Sequence, residues 1–369
     1  MRARSGRRFD LGYSLSVLLL AGVYYGAARL SLHYALIKPS VTPVWPPTGI
    51  AVVGLFLLGS RAWPGIALGA FLANAGISPN IAVAVMIAAG NTLAPLASYI
   101  LLRACDFRPD LGRLRDASVL VFLGALAAMS VSASIGTTAL WVSHAIGPNG
   151  YVAAWSVWWT GDAFGVLVFV PFLFVFPTVP RGLSWSARAE GTFVVAAAGA
   201  VTYAVTRSDL SLMFVVLPVT IYASMRFKQK GAAPAVAVVT LVAVSAAVSG
   251  LGPFSHRSLF QRMLTLQAFN GTVVLTSFLL AALMTERERA RHALDELRRR
   301  QALELNDEIV QGLSVARYAL ELNDVATMRR ALDRTLEGAR AIVGNLLGRQ
   351  PGDLRRERPA EVGATEDKS

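Results

Sequence analysis

Asp162 stands inside an apolar run that extends from Trp155 to Pro177. A carboxylate among hydrocarbon side chains has to be paired, protonated or turned towards a watery cavity, because an isolated charge there loses its hydration. Trp158 and Trp159 lie on the same run, one turn before it. The stretch Val44 to Asn74 supplies further polar groups: Trp45-Pro46-Pro47-Thr48 opens one apolar run, Asn74 closes the next, and Arg61 stands between the two. A helical hairpin of these runs brings Trp45, Thr48 and Asn74 to one side of a membrane and Arg61 to the other. The expected ligand-binding set is therefore Trp45, Thr48, Asn74, Trp158, Trp159 and Asp162, lining a pocket that opens away from the cytoplasm. The competing role is structural, with Asp162 in an interhelical hydrogen bond and the tryptophans in an interfacial belt. Pro46 and Pro47 fit either a broken helix end that exposes backbone groups or an ordinary helix start. Asn91 reads as an interhelical hydrogen bond, with a ligand contact as the lesser alternative, and Gly65 and Gly69 as close helix packing.

Metal and cofactor chemistry has little to work with. His33, His144 and His256 show no i, i+4 pair, and the single cysteine, Cys105, excludes an intramolecular disulfide and offers no thiolate cluster. Neither a metal nor a cofactor is expected.

The elements that must position these groups follow from composition. The chain has 369 residues, 54% of them apolar, above the roughly 45–50% of soluble domains. The expected fold is all-α: a polytopic transmembrane helical bundle followed by a cytoplasmic antiparallel helical hairpin. Apolar runs fall near 11 to 30, 44 to 60, 63 to 77, 80 to 102, 117 to 140, 155 to 177, 191 to 206, 210 to 225, 232 to 250 and 264 to 284. They predict about ten spans, or about eight if one short pair is re-entrant, since a crossing takes about 20 residues. The first run exceeds the h-region of a signal peptide, of about 7–15 residues, and reads as an uncleaved helix. Net charge is +12, yet the basic residues separate apolar runs and form no aromatic-interleaved stripe, so nucleic acid is not an expected partner. With the N-terminus inside, Arg61, Arg103, Arg108, Arg113, Arg115, Arg181, Arg188, Arg226, Lys228 and Lys230 all become cytoplasmic, and the opposite face receives only Arg29, Lys38, Arg207, Arg257 and Arg262. Membrane lipid is then the surrounding partner, in a bacterial inner membrane with both termini cytoplasmic.

After Met284 the composition turns to charge and helix formers. Leu294, Leu297, Leu305, Ile309, Leu313, Ala316 and Leu320 form one apolar stripe, on a helix continuing from the last span. Asn323-Asp324 precedes a second stripe, Val325, Met328, Leu332, Leu336, Ala339, Val343 and Leu346, with heptad-like spacing. One hairpin covers only part of each stripe, so a homodimeric four-helix unit is expected. The boundaries are a cytoplasmic N-terminus at 1–10, a transmembrane sensor domain at 11–285, the dimerisation hairpin at 286–349 and a disordered tail at 350–369.

Two resemblances rest on these residues. VWPPTGIAVVGLFLLGSRAWPGIALGAFLAN, WWTGDAFGVLVFVPFLF at 158 to 174 and LPVTIYASMRFKQKGAA, with GLGPF and LQAF later, resemble the bacterial membrane-associated sensor domain of the first MASE type. Residues 286 to 349 resemble the dimerisation and phosphoacceptor hairpin of histidine kinases that partner NarL-type response regulators. That resemblance implies a histidine at the place of Asn306 in LNDEIVQGL, and an amide nitrogen is no comparable nucleophile. His292 lies about 21 Å further along a helix, and Arg349 to Ser369 has no room for an ATP-binding fold. The expectation is a non-enzymatic membrane sensor that detects an unknown stimulus and signals through its hairpin. Asn306, Asp307, Glu308 and Gln311 are expected to dock a response regulator or a separate histidine kinase. The alternatives are a transporter or channel built on Asp162, and a silent adaptor for a separate kinase or regulator.

Overall fold

A computed structural model of the chain describes residues 11–33, 42–175, 177, 184–208, 210 and 212–347. The expected segments 1–10 and 350–369 lie outside these residues, as do Lys38 and Arg181. In hydrocarbon no water is at hand for backbone N–H and C=O groups, so apolar runs close their hydrogen bonds as helices. The described residues are accordingly helical, without a strand: α1 (Leu11–His33), α2 (Pro46–Leu58), α3 (Trp63–Ala75), α4 (Ile81–Ala104), α5 (Leu114–Val119), α6 (Ala128–Val142), α7 (Tyr151–Val175), α8 (Trp185–Val205), α9 (Val216–Phe227), α10 (Gln229–Ser249), α11 (Leu259–Glu321) and α12 (Val325–Leu347). A π-helical stretch, Leu120–Ala127, joins α5 to α6 into one span, Leu114–Val142.

Six of these segments are long and apolar enough to cross a membrane: α1, α4, the α5–α6 span, α7, α10 and α11. The remaining apolar runs give shorter or less apolar helices, so the described residues hold fewer full-length spans than the ten runs suggest. In particular α2 and α3 have 13 residues each, about 20 Å at 1.5 Å per residue against a hydrocarbon core of about 30 Å. The Val44 to Asn74 hairpin is thus a pair of half-length helices meeting at Ser60–Ala62. Small residues seat it. A side chain at Gly69 would come within 2.7 Å of the Ala21 carbonyl on α1, and Gly65 meets the Val17 carbonyl in the same way. Close packing is the role read for both glycines.

The chain divides into two compact units, Met1–Arg287 and Glu288–Ser369. The core of the first is built on α7 and α10, with Val166, Val168, Val170, Val236 and Val239 fully buried beside Leu266 and Val274 of α11. One end of this unit carries a polar clasp. Arg113 bonds the buried Asp116 at 2.6 Å, which keeps the guanidinium protonated above its ordinary range. Asp116 also accepts from the Arg108 amide at 3.0 Å, and Glu286 of α11 accepts from the Leu114 amide, capping α5, at 2.8 Å.

In the second unit α11 and α12 run antiparallel: Gly312 lies against Thr335, and Gly338 against Glu308. Asp324 is the N-cap foreseen for the second helix, accepting from the Thr327 amide at 2.9 Å. Leu313, Leu320, Val325 and Leu336 of the predicted stripes are exposed, while Ala316 and Ala319 are buried between the helices.

Candidate functional site: a buried polar cavity

An extended segment, Thr42 to Trp45, enters α2 beside the middle of α7. Its placement depends on missing side chains. The Trp45 amide donates to the Gly161 carbonyl at 2.9 Å. A side chain at Gly161 would meet the Thr42 carbonyl at 2.7 Å, and one at Gly165 would collide with the Trp45 carbonyl. The spacing Gly161-x-x-x-Gly165 therefore lets backbone lie directly on backbone.

This contact carries Thr48 to Asp162. The Thr48 hydroxyl donates to the carboxylate at 2.8 Å. The Ser132 hydroxyl of α6 donates to the other carboxylate oxygen. Trp158 lies against the same group. Asp162 is 1% exposed, so the interhelical hydrogen bond foreseen as its structural role is present, joining α2, α6 and α7. Beside it is a cavity of about 20 Å³ lined by Thr42, Trp45, Asn74, Asn91, Trp158, Gly161 and Asp162, room for about one water.

Four of the expected residues, Trp45, Asn74, Trp158 and Asp162, thus line one cavity, and Thr48 is bonded to it. Asn74 is held by its own helix, its Nδ2 donating to the Ala70 carbonyl at 2.8 Å. Trp159 is placed elsewhere: its indole donates to the Leu126 carbonyl at 2.7 Å and its ring stacks on Trp155. Leu126 lies in the π-helical stretch, where altered register leaves backbone carbonyls open to other donors.

Sequence reasoning missed Ser132, Thr42 and Gly161 and read Asn91 as an interhelical hydrogen bond ahead of a ligand contact. Asn91 is 5% exposed, lines the cavity, and its Oδ1 is buried without a hydrogen-bond partner. Tyr24 of α1 sets a fully buried hydroxyl beside Trp45 and Asn91. The intramembrane glycines 161 and 165 around Asp162 were the available signal for Thr42 and Gly161; a serine such as Ser132 in an apolar helix carries none. A further contact joins α11 to the extended segment whose Thr42 and Trp45 line the cavity: Gln267 donates from Nε2 to the Pro43 carbonyl at 2.7 Å.

Of the four expected docking residues, Asn306, Asp307, Glu308 and Gln311 are all exposed. Glu308 and Gln311 line a groove of about 420 Å³ between α11 and α12, facing Arg330 and Arg334. Asn306 and Asp307 are not part of it. Among the described residues no three His, Cys, Asp or Glu side chains cluster as metal ligands.

The family model described as MASE1 matches residues 15–288. No curated protein and no solved structure matches the chain.

Proposed function

The chain belongs to the MASE1 family of membrane-associated sensor domains, and on that premise we propose that the cavity at Asp162 is its sensing centre and that α11 passes the change to the hairpin. One observation carries this reading: the bond from Gln267 to the Pro43 carbonyl ties the segment whose Thr42 and Trp45 line the cavity to a helix that continues to Glu321. A stimulus that binds one arrangement of Thr42 to Trp45 better than another shifts the equilibrium between them. α11 is attached to that segment and reports the shift.

The hairpin is the output in this proposal. Asn306 stands where the related hairpins of histidine kinases carry their phosphoacceptor, so the chain acts without phosphoryl chemistry of its own. Glu308 and Gln311, with Asn306 and Asp307 nearby, form the docking face for a response regulator or a separate histidine kinase. Homodimerisation is supported by Leu313, Leu320, Leu332 and Leu336, large apolar side chains left exposed on the single hairpin. Both termini are cytoplasmic and the membrane is a bacterial inner membrane in this proposal, which the distribution of Lys and Arg between the apolar runs supports.

The test is disulfide crosslinking in membranes, in a Cys105→Ser background with one cysteine introduced along 290–320. Gln267→Leu and Asp162→Asn are expected to change which positions crosslink fastest. Patterns identical to the parent in both variants would sink the sensing reading. Capture of neither a kinase nor a NarL-type regulator by the full chain would remove the docking role.

A further inference from the structure

Asp162 lies eleven residues into α7, about 17 Å along the helix axis and near the middle of a hydrocarbon core of about 30 Å. Its carboxylate touches neutral groups: the hydroxyls of Thr48 and Ser132, and Trp158. Each carboxyl oxygen has one hydroxyl within hydrogen-bond reach. No ion pair reaches it among the described residues.

Helix amides, the usual substitute for a counter-ion, are withheld as well. The entry to α2 points at Asp162, yet Pro46 and Pro47 have no N–H. The Thr48 amide is taken by the Trp45 carbonyl at 3.2 Å and the Trp45 amide by Gly161 at 2.9 Å. Asn91 lines the same small space, and its carbonyl oxygen is buried without a hydrogen-bond partner. Asp162 and Asn91 therefore line one volume of about 20 Å³, and an ionised Asp162 has no counter-charge there, in a medium where that is costly.

A water would satisfy the acceptors and leave the charge. A proton would neutralise the charge and leave Asn91 unpartnered. A small cation does both. We propose that this cavity is a binding site for one desolvated monovalent cation of sodium size, held between the Asp162 carboxylate and the Asn91 carbonyl oxygen. One carboxylate balances one positive charge, which disfavours a divalent ion, and a one-water volume excludes a hydrated or larger one. Hard oxygen donors beside an interrupted membrane segment are the setting in which sodium is bound elsewhere.

The proposal names a ligand for the sensing centre and rests on that reading only for its signalling consequence. Trp45 and Trp158 line the cavity and serve as reporters. The full chain in lipid nanodiscs is titrated with sodium chloride, with choline chloride replacing it at constant ionic strength and pH. Expected is a saturable change in tryptophan emission with sodium, none with choline, its loss in Asp162→Asn and a weakening of at least tenfold in Asn91→Leu. Because either variant can lose stability, the parent protein supplies a second readout: sodium raises its thermal midpoint with the same saturation. Equal responses to sodium and choline overturn the site, and so does a response to pH that sodium does not compete with, which assigns the charge to a proton. Sodium binding with unchanged hairpin crosslinking keeps the site and ends its sensing role; crosslinking altered by Gln267→Leu without sodium binding keeps the sensor and ends the cation.

Discussion

The Trp45 amide and the Gly161 carbonyl meet at 2.9 Å, pinning an extended segment of chain to the middle of a membrane-spanning helix. The position of α2, the approach of Thr48 to Asp162 and the reach of Gln267 to Pro43 all depend on that contact.

Gly165→Ala should therefore be severe. The added methyl group collides with the Trp45 carbonyl, and backbone on both sides leaves no flexible neighbour to give way. Loss of folded protein on fluorescence-detected size exclusion is expected. Gly271→Ala is the control, since its methyl would meet Phe164 at an ordinary 3.6 Å and should be tolerated.

Trp159→Phe keeps the aromatic packing and removes the donor to the Leu126 carbonyl. Leaving that carbonyl unpartnered should cost about 1–3 kcal/mol. Trp155→Phe loses a bond to Ser134 at an exposed position and should cost less. Thermal midpoints in the same detergent compare the two, and equal losses would contradict the role given to the π-helical stretch.

Asp324 sets a pH dependence for the hairpin. Bonds from the Thr327 hydroxyl, then from its amide, hold the carboxyl below its ordinary value of 3.8. A depressed value means that the unfolded segment binds the proton more readily, so the stabilisation is complete above 3.8 and is lost as pH falls through the folded value. Limited proteolysis at the α11–α12 turn should accelerate over that window. Asp324→Asn keeps a capping acceptor and should flatten the profile.

Leu313→Lys and Leu336→Lys place charge on the exposed apolar faces of α11 and α12. Burying each leucine is worth about 1.5–3 kcal/mol, counted on both copies of a dimer, so self-association should weaken by at least tenfold. Light scattering on the full chain checks this. Unchanged mass in both variants would remove the proposed homodimer.

Proteoliposome uptake separates sensor from transporter. No saturable flux is expected, and a flux abolished by Asp162→Asn would favour the transporter alternative.

Much of the fold was legible because membranes restrict backbone to structures that satisfy themselves, and apolar runs mark those structures plainly. α4, α7, α10 and the continuation of the last span into the hairpin lie close to their expected bounds, and Asp324 caps α12 as the Asn323-Asp324 signal implied. The short reach of α2 and α3 was less visible, since hydropathy alone does not show where a helix begins at mid-depth. Trp159 was assigned with Trp158 because they are adjacent, although neighbours on a helix point about 100° apart.

By itself the sequence determined that this is an all-α membrane chain whose last span runs on into a charged helical hairpin, and that Asp162 needs a polar neighbourhood. Those are consequences of composition, period and residue type. Tertiary structure alone decided that Thr48 and Ser132 supply that neighbourhood, that Asn91 leaves an acceptor open beside it, and that Gln267 connects the Thr42 to Trp45 segment to α11. The reason is physical: the bonded partners are separated by as many as 224 residues and meet only in the packed bundle, where glycines at 161 and 165 let the Thr42 to Trp45 backbone lie on α7.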